Sequence, residues 1–579
     1  RIRIFERVID FGKEIDWLAD PFTGIGWPVD HFSRLQVVRS DGSDARVAWE
    51  LNRLQHLATL GRAYLLTGDE RYTEEFLQQI TSWNESNPPR FTINWANAME
   101  AAIRAVNLIA AMEMFRCSPL LIDERIALLL KMLIQHGRFI RDNLEFSYRA
   151  PSNHYLCDLI GLFAIGATMP DLKASPRWVK FSAARLRFEL MRQVHADGVS
   201  YEGSTGYHRL VTEIFALCFV LSKSIRINFP LTHRHRLEAM FRFAAYYLKP
   251  DGTAPIIGDS DDGRLLRFKE RAATDQSYLL SLGAALFGKV EFKRSAQIDE
   301  ETLWWAGERG LERFDSLAEN PAPASHAFRD AQIFILRQAS VYSIIDCGDH
   351  GIHGRGSHAH SDAMSIETYA FDRTFLRDPG TFAYTGNPEA RNLFRSTAYH
   401  NTVRIDGRDI SRIEADQLFA LGKNVRPKII NWKSDDERDL LEAEHHAYAD
   451  LKVIHRRAIT FDKRQLYWTV ADSFSGEGEH TFEFFFNFDA GLEVMLNDQR
   501  AVAFSDQTGF VIAMISGHAM EAEPTERHVS LSYGNRVAAS GIIYRFRTQV
   551  PFENKALLIP FRRGDESKVE RILSENAGR

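Results

Sequence analysis

The chain reads as an α+β protein in two parts, a helical first half and an antiparallel β-sheet second half. Apolar residues recur at helical spacing from about residue 45 to 300, and the period switches to two beyond about residue 326. The stretch Glu319-Asn-Pro-Ala-Pro-Ala-Ser325 reads as a linker between them. With 579 residues the chain exceeds what one hydrophobic core usually serves, so two domains are expected, 1–325 and 326–579.

In the first half Leu51, Leu54, Leu57 and Tyr64 make one helical stripe, and Ile103, Val106, Ile109 and Met112 another. Helix-length runs cover roughly 122–141, 153–168, 178–195, 207–225 and 233–248. Turn signals such as Thr67-Gly-Asp69, Asn87-Pro-Pro89 and Asp197-Gly198 separate the helical runs. Such a series of antiparallel hairpins stacks as a bundle, a solenoid or a closed toroid, and periodicity leaves all three open. In the second half Phe482, Phe484, Phe486 and Phe488 alternate along one strand and read as sheet core. Ala458 to Phe461 and Leu466 to Val470 read as a hairpin around Asp462-Lys-Arg464. Many short strands with intervening turns predict an antiparallel sandwich.

Hydrophobic residues at 45% and charged residues at 26% are ordinary for a soluble globular protein, and no apolar run is long enough to cross a bilayer. A net charge of −6 argues against general nucleic-acid binding. The four cysteines, Cys117, Cys157, Cys218 and Cys347, match no C-x-x-C pattern and read as buried free thiols, which does not choose a compartment. The chain opens at Arg1 rather than Met, which would fit a processed signal peptide or an altered start, and what is present shows no charged-then-apolar export signal. A periplasmic or secreted location is expected, with a cytoplasmic one left open.

The densest chemistry lies in Asp346-Cys-Gly-Asp-His-Gly-Ile-His-Gly-Arg-Gly-Ser-His-Ala-His-Ser-Asp362, followed by Arg377-Asp-Pro-Gly-Thr381 and Tyr399-His-Asn-Thr402. His358 and His360 are two apart, so on a strand they share a face; Asp378 and His400 follow His360 by 18 and 40 residues, each at the edge of an apolar run. Taken alone, a His-Ala-His in a glycine-rich loop is an ordinary polar surface element. Two imidazoles and a carboxylate, however, suit Zn²⁺ and leave a position for water or another group. His358 would then stand beside the ion without necessarily binding it.

Asn94-Trp-Ala-Asn-Ala-Met-Glu100, then Asn153-His154, then Tyr201-Glu-Gly-Ser-Thr-Gly-Tyr-His208, then His-Ala-His, Asp-Pro-Gly-Thr and His-Asn-Thr, resemble the heparinase II/III-like polysaccharide lyases in nearly the whole chain and in order. The resemblance implies an N-terminal (α/α) toroid followed by a C-terminal antiparallel β-sandwich, a layout shared by alginate-oligomer lyases. It carries catalytic roles to Asn153, His154, Tyr207 and His358, and metal-ligand roles to His360, Asp378 and His400. The implied cofactor is one divalent metal, Zn²⁺ with Mn²⁺ as alternative, in a mainly structural role. The implied partner is an acidic, uronate-containing polysaccharide, a glycosaminoglycan first and alginate or a bacterial exopolysaccharide second.

These residues suit β-elimination. Asn153, helped by His154, would stabilise charge developing on the uronate carboxylate as the C5 proton leaves. Tyr207 would protonate the leaving 4-oxygen. A phenol with a pKa near ~10 needs a neighbouring cation to serve also as base, and His358 is the alternative base. Trp95, Asn97, Glu100 and Arg104 are expected to line the sugar cleft, with Trp95 stacking on a pyranose, although helix packing explains the tryptophan equally well. In isolation Asn153 and His154 read as caps of the following helix, and Tyr207 as a packed tyrosine. Gly258-Asp-Ser-Asp-Asp-Gly263 reads as a capped turn because it lacks an EF-hand's later glutamate. His445, His446 and His455 read as surface or packing residues. The competing readings are a toroid glycoside hydrolase using Asp259 and Asp262, and a noncatalytic glycan binder.

Overall fold

The computed structural model describes residues 1–294, 297–321, 323–497, 499–516 and 520–576; Ala322, within the stretch read as a linker, lies outside them. Eleven helices are described in the first half: α1 (Ala45–Asn52), α2 (Leu57–Thr67), α3 (Arg71–Ser86), α4 (Ala98–Phe115), α5 (Asp123–Asp142), α6 (Asn153–Thr168), α7 (Ser175–Gln193), α8 (Thr205–Ser224), α9 (Leu231–Tyr247), α10 (Tyr278–Phe287) and α11 (Glu300–Asp315). The stripe from Leu51 to Tyr64 is two helices rather than one, because Leu54 turns left-handed (φ 59°) between α1 and α2. Each helical hairpin sets one helix inside and its successor outside. α6 is buried around its whole circumference from Tyr155 to Gly166, whereas α5 buries only one face, Leu129, Met132, Leu133, His136, Phe139 and Ile140. α6 packs on α4 and α8 within the inner layer and on α5 and α7 outside it.

The segment after α9 crosses the gap in this ring. Gln55 donates to Arg264 O at 2.6 Å, Asn107 to Leu265 O at 2.9 Å and Arg62 to Phe268 O at 2.7 Å. Arg264 ties the crossing to Glu213 of α8 and Glu301 of α11.

The second half is antiparallel throughout its strand ladders. An eight-stranded sheet ends at Glu493–Asn497 and Lys428–Ser434, a four-stranded sheet contains Glu479–Asn487, and a five-stranded sheet runs from His326–Phe328 to Arg373–Thr374. Phe482, Phe484, Phe486 and Phe488 are all in the sandwich core, as their alternation predicts. Val453–Asp462 and Tyr467–Gly476 form the expected hairpin, with Asp462 opposite Tyr467. His445 and His455 are buried, and His455 Nε2 bonds Asp472 at 2.7 Å, a packing role; His446 is exposed. Cys157, Cys218 and Cys347 are buried thiols, but Cys117 is exposed just past the end of α4, a correction to the expectation for all four.

The five-stranded sheet joins the halves. Ile333, Ile335, Tyr342 and Ile344 pack into the helical core, while Phe334, Leu336, Val341 and Ile345 pack into the sandwich core. Buried polar contacts fix the same seam: Tyr342 Oη donates to Tyr247 O at 2.7 Å, and Lys249 pairs with Glu367 at 3.1 Å. Ile335→Ala should therefore cost about 2–5 kcal/mol and lower one shared calorimetric transition; two transitions, only one of them moved, would show that the halves unfold independently.

Candidate active site and metal centre

Because alternate helices of the ring run parallel, the N-termini of α4, α6 and α8 reach the same rim. Asn97 caps α4 by accepting from Glu100 N, and Ser204 caps α8 by accepting from Tyr207 N at 3.1 Å. The rim faces the loop that precedes His358, and together they enclose a cleft of about 420 Å³ lined by Arg46, Trp49, Asn97, Glu100, His154, Tyr207, His358 and Tyr384 among others. Helix N-termini carry partial positive charge, which suits an anionic ligand.

Tyr207 and His358 meet across the seam. Their rings are stacked with centroids 3.6 Å apart and planes 18° from parallel. His358 Nδ1 lies 3.1 Å from Asp259 Oδ2; a carboxylate only accepts, so Nδ1 carries the hydrogen, and in the neutral ring the lone pair is on Nε2. That nitrogen faces Asn153 Nδ2 at 3.4 Å and Glu202 Oε2 at 3.8 Å. Burial, then the charges of Asp261 and Asp259, push the Tyr207 phenol well above its ordinary value, so it holds its proton at neutral pH. Its oxygen meets Tyr384 Oη at 3.2 Å.

Asp259 organises both histidines. Arg391 grips it with two guanidinium nitrogens, one of them 2.8 Å from Oδ2, and its Oδ1 accepts from His360 Nε2 at 3.0 Å and Thr381 Oγ1 at 3.2 Å. Burial opposes the charge, but Arg391 and the two imidazole hydrogen bonds hold this carboxyl far below the usual range. The backbones converge because position 258 is glycine: φ is +64°, and a Cβ there would collide with Gly203 O and His358 O.

His360, Asp362, Asp378 and His400 form a buried group whose ligand atoms lie within 4.8 Å of one another. His360 gives its Nε2 hydrogen to Asp259, and His400 gives its Nδ1 hydrogen to Ser396 O at 2.7 Å. The remaining lone pairs, His360 Nδ1 and His400 Nε2, point at each other across 3.0 Å. Two such lone pairs repel unless a cation or proton lies between them. Asp378 is 4.0 Å from the first and 3.5 Å from the second. Tetrahedral zinc with bonds of about 2.0–2.1 Å would space its ligand atoms about 3.3 Å apart, so the donor set fits such an ion. Burial and then Asp362 raise the Asp378 carboxyl well above its ordinary value, as expected for carboxylates gathered without a counter-charge. Asp362 was missed in the sequence because nothing in Ser-Asp-Ala distinguishes a ligand from a turn aspartate.

The other expected residues divide. Asn97 and Glu100 line the cleft, but Trp95 and Arg104 do not. Trp95 is 1% exposed and packs on His136 and Phe139, and Arg104 is wholly buried, donating to Asn52 O and Asn94 O with its guanidinium 4.5 Å from the Trp83 ring centroid. Both are helix-core residues, since the tryptophan's apolar face and the arginine's donors are all satisfied inside the ring. Asn153 and His154 are not the caps of α6; Ser152 precedes them, and Asn153 N donates instead to Glu202 Oε1 at 2.7 Å. Asn153 is fully buried, one layer behind the cleft wall, while His154 faces the cleft with Nδ1 bound to Glu145 Oε2 at 2.7 Å. Asp259 and Asp262 are not a hydrolase pair: Asp259 is spent on Arg391 and the histidines, and Asp262 accepts from Ser532 Oγ and Tyr533 N. Asp261 accepts from Gly263 N at 3.0 Å, the expected turn. Glu202, Asp362, Tyr384 and Arg391 are site residues that sequence reasoning did not place there, and Asp259 entered only as a hydrolase carboxylate.

A helical ring joined to an antiparallel β-sandwich, with a histidine–carboxylate cluster at the seam between them, defines a class of toroid-and-sandwich proteins. The heparinase II/III N-terminus family matches residues 3–275, and the heparinase II/III-like C-terminal family matches residues 320–569. The chain belongs to the heparinase II/III family. It is 24% identical over 484 residues to a heparin-sulfate lyase of Pedobacter heparinus, covering 81% of this chain and 63% of the relative. It is 22% identical over 501 residues to a heparin-sulfate lyase of Bacteroides stercoris, covering 82% and 65%. The chain thus spans less than two thirds of the length of these relatives. The fold is similar to the crystal structure of heparinase III, with a TM-score of 0.72, 18% identity and coverage of 91% of this chain and 80% of that one. It is also similar to a chondroitin AC lyase of Streptomyces coelicolor A3, with a TM-score of 0.56, 14% identity and coverage of 91% and 76%.

His154 supplies a direct test of the electrostatics. Burial pulls its imidazole down, but Glu145 more than offsets this and raises it to about 9. It is therefore an imidazolium at neutral pH and loses its charge above about 9. In an NMR titration its ring should titrate near that value, and Glu145→Gln should lower it markedly, since only the charges of Glu100 and Glu202 then oppose burial. A wild-type midpoint near the unperturbed ~6.5 would refute the ion pair.

Proposed function

We propose that the protein is a polysaccharide lyase that cleaves a uronate-containing glycosaminoglycan by β-elimination. The observation that carries this reading is the stacked pair at the cleft: a histidine with its lone pair fixed on Nε2 against a tyrosine held protonated by its surroundings. His358 Nε2 takes the C5 proton of the uronate. The C5–H electron pair becomes the C4–C5 double bond, the bond from C4 to the glycosidic oxygen breaks, and Tyr207 Oη gives its proton to that oxygen. The proton on His358 then returns to the Tyr207 phenolate through solvent. The His154 imidazolium receives the substrate carboxylate and stabilises its developing charge, with the Asn153 amide behind it at His358. Because the phenol is pushed up rather than down, the division of labour with His358 as base and Tyr207 as acid is favoured over a single tyrosine doing both. The printed names of relatives, heparin-sulfate lyase and chondroitin AC lyase, support a glycosaminoglycan as substrate.

A divalent metal, Zn²⁺ before Mn²⁺, belongs on His360, Asp378 and His400, with Asp362 as the fourth ligand. When bound it would fix His360, and through Asp259 the seam, supplying structure rather than a reactive water.

Turnover would be read as the ultraviolet-absorbing 4,5-unsaturated uronate. Tyr207→Phe, which keeps the ring, should lower kcat by about 10²–10⁴-fold with little change in polymer binding; near-normal turnover in the folded variant would overturn the mechanism. His358→Ala should lose activity most on substrates whose C5 proton lies opposite the leaving oxygen. Elemental analysis should find one metal per chain in the wild type and a sharp loss in both His360→Ala and Asp362→Asn. Undiminished metal in His360→Ala would remove that site.

A further inference from the structure

The cations on the cleft wall are paired, with one exception. Arg46 is held by Glu50 and Asp261, Arg53 by Glu50 and Glu100, and His154 by Glu145. Arg355 is exposed at the rim, and among the described residues its guanidinium has only the carbonyl of Phe419, 3.4 Å from Nε. The wall's acids are thus cancelled by partners, and Arg355 is left as its one uncompensated charge.

The backbone that delivers Arg355 is strained and pinned. Gly351, Ile352, His353 and Gly354 all have positive φ, 64°, 46°, 56° and 83°. A β-branched residue in that region is a conformational outlier, and such outliers persist only where surrounding structure enforces them. Here Ile352 N donates to Tyr201 O at 2.9 Å and Leu421 N to Arg355 O at 2.9 Å, and a Cβ on Gly351 would collide with Tyr201 O. The pin at Tyr201 belongs to the same segment that leads into Tyr207. Arg355 precedes His358 by three residues, so their Cα atoms are no more than about 11 Å apart, within reach of a sugar beside the reacting one. A rigid loop turning an unpaired, planar guanidinium toward the cleft is preorganised for an anion.

We infer that Arg355 is a specificity-determining residue that receives an anionic substituent, a sulfate or a further carboxylate, on a sugar neighbouring the uronate at Tyr207 and His358. The inference rests on the lyase reading of the same cleft. A guanidinium can bind either anion bidentately through charge-assisted hydrogen bonds, which are stronger than the single bonds it could make to a neutral hydroxyl or N-acetyl oxygen.

The test measures binding separately from turnover. Affinities of Tyr207→Phe and Tyr207→Phe/Arg355→Ala are compared by calorimetry for heparan sulfate and for the same polymer desulfated and re-N-acetylated. Removing Arg355 should weaken binding at least about tenfold, with Arg355→Lys intermediate. Loss confined to the sulfated polymer identifies a sulfate, and equal loss on both identifies the carboxylate. Unchanged affinity for both polymers, or no binding of either by the parent, would overturn the inference. Failure of the lyase reading shows differently: wild-type protein would form no ultraviolet-absorbing product, whatever the binding results.

Discussion

One carboxylate holds the site together. Asp259 is fully buried and ionised, and each of its oxygens serves a different histidine: Oδ2 fixes the hydrogen of His358, and Oδ1 that of His360. Arg391 makes this possible, since a lone buried carboxylate facing two imidazoles would protonate or draw a proton from water. The tautomers follow from that arrangement. His358 turns a lone pair toward Asn153 and Glu202, and His360 turns one toward His400 and the carboxylates of Asp362 and Asp378. The proposed base and the proposed metal centre are thus two faces of a single hydrogen-bonded unit.

That unit lies on the seam, which explains why the seam is so apolar and so tightly bonded. Tyr207 comes from α8, Asp259 from the crossing that follows α9, and both histidines from the loop beyond the third strand of the five-stranded sheet. A hinge between the halves would separate the 3.6 Å ring stack. The five-stranded sheet prevents this by contributing one face to each core, so relative motion would expose apolar surface on both sides.

The cleft wall follows a different rule. Arg46, Glu50, Arg53, Glu100 and Asp261 are buried ion pairs, and such groups add little net stability because desolvation offsets most of their attraction. Their effect is to fix side chains in place and to cancel charge. Against that background Arg355 stands out as the uncompensated charge, while the His154 imidazolium faces the cleft already paired with Glu145.

Much of the architecture was legible in the sequence, because it is written in period and punctuation. Helical spacing located α5 to α9 within a few residues, alternation of Phe482, Phe484, Phe486 and Phe488 placed the sandwich core, and His358, His360, Asp378 and His400 were named from residue type and motif order. The resemblance resolved the toroid, which periodicity could not, since a bundle and a ring bury the same helical stripe. What tertiary structure decided were the meetings of groups far apart in the chain. Asp259 and Asp262 look alike in Gly-Asp-Ser-Asp-Asp-Gly, and only the approach of Arg391 and two histidines separates the organiser from its neighbour. Trp95 and Arg104 looked like sugar contacts, and only the inward face of the ring shows them satisfied by one another's neighbours. Local sequence sets the period of an element and the chemistry of its side chains; which side chain loses its water, and to which partner, is settled when distant segments close upon it.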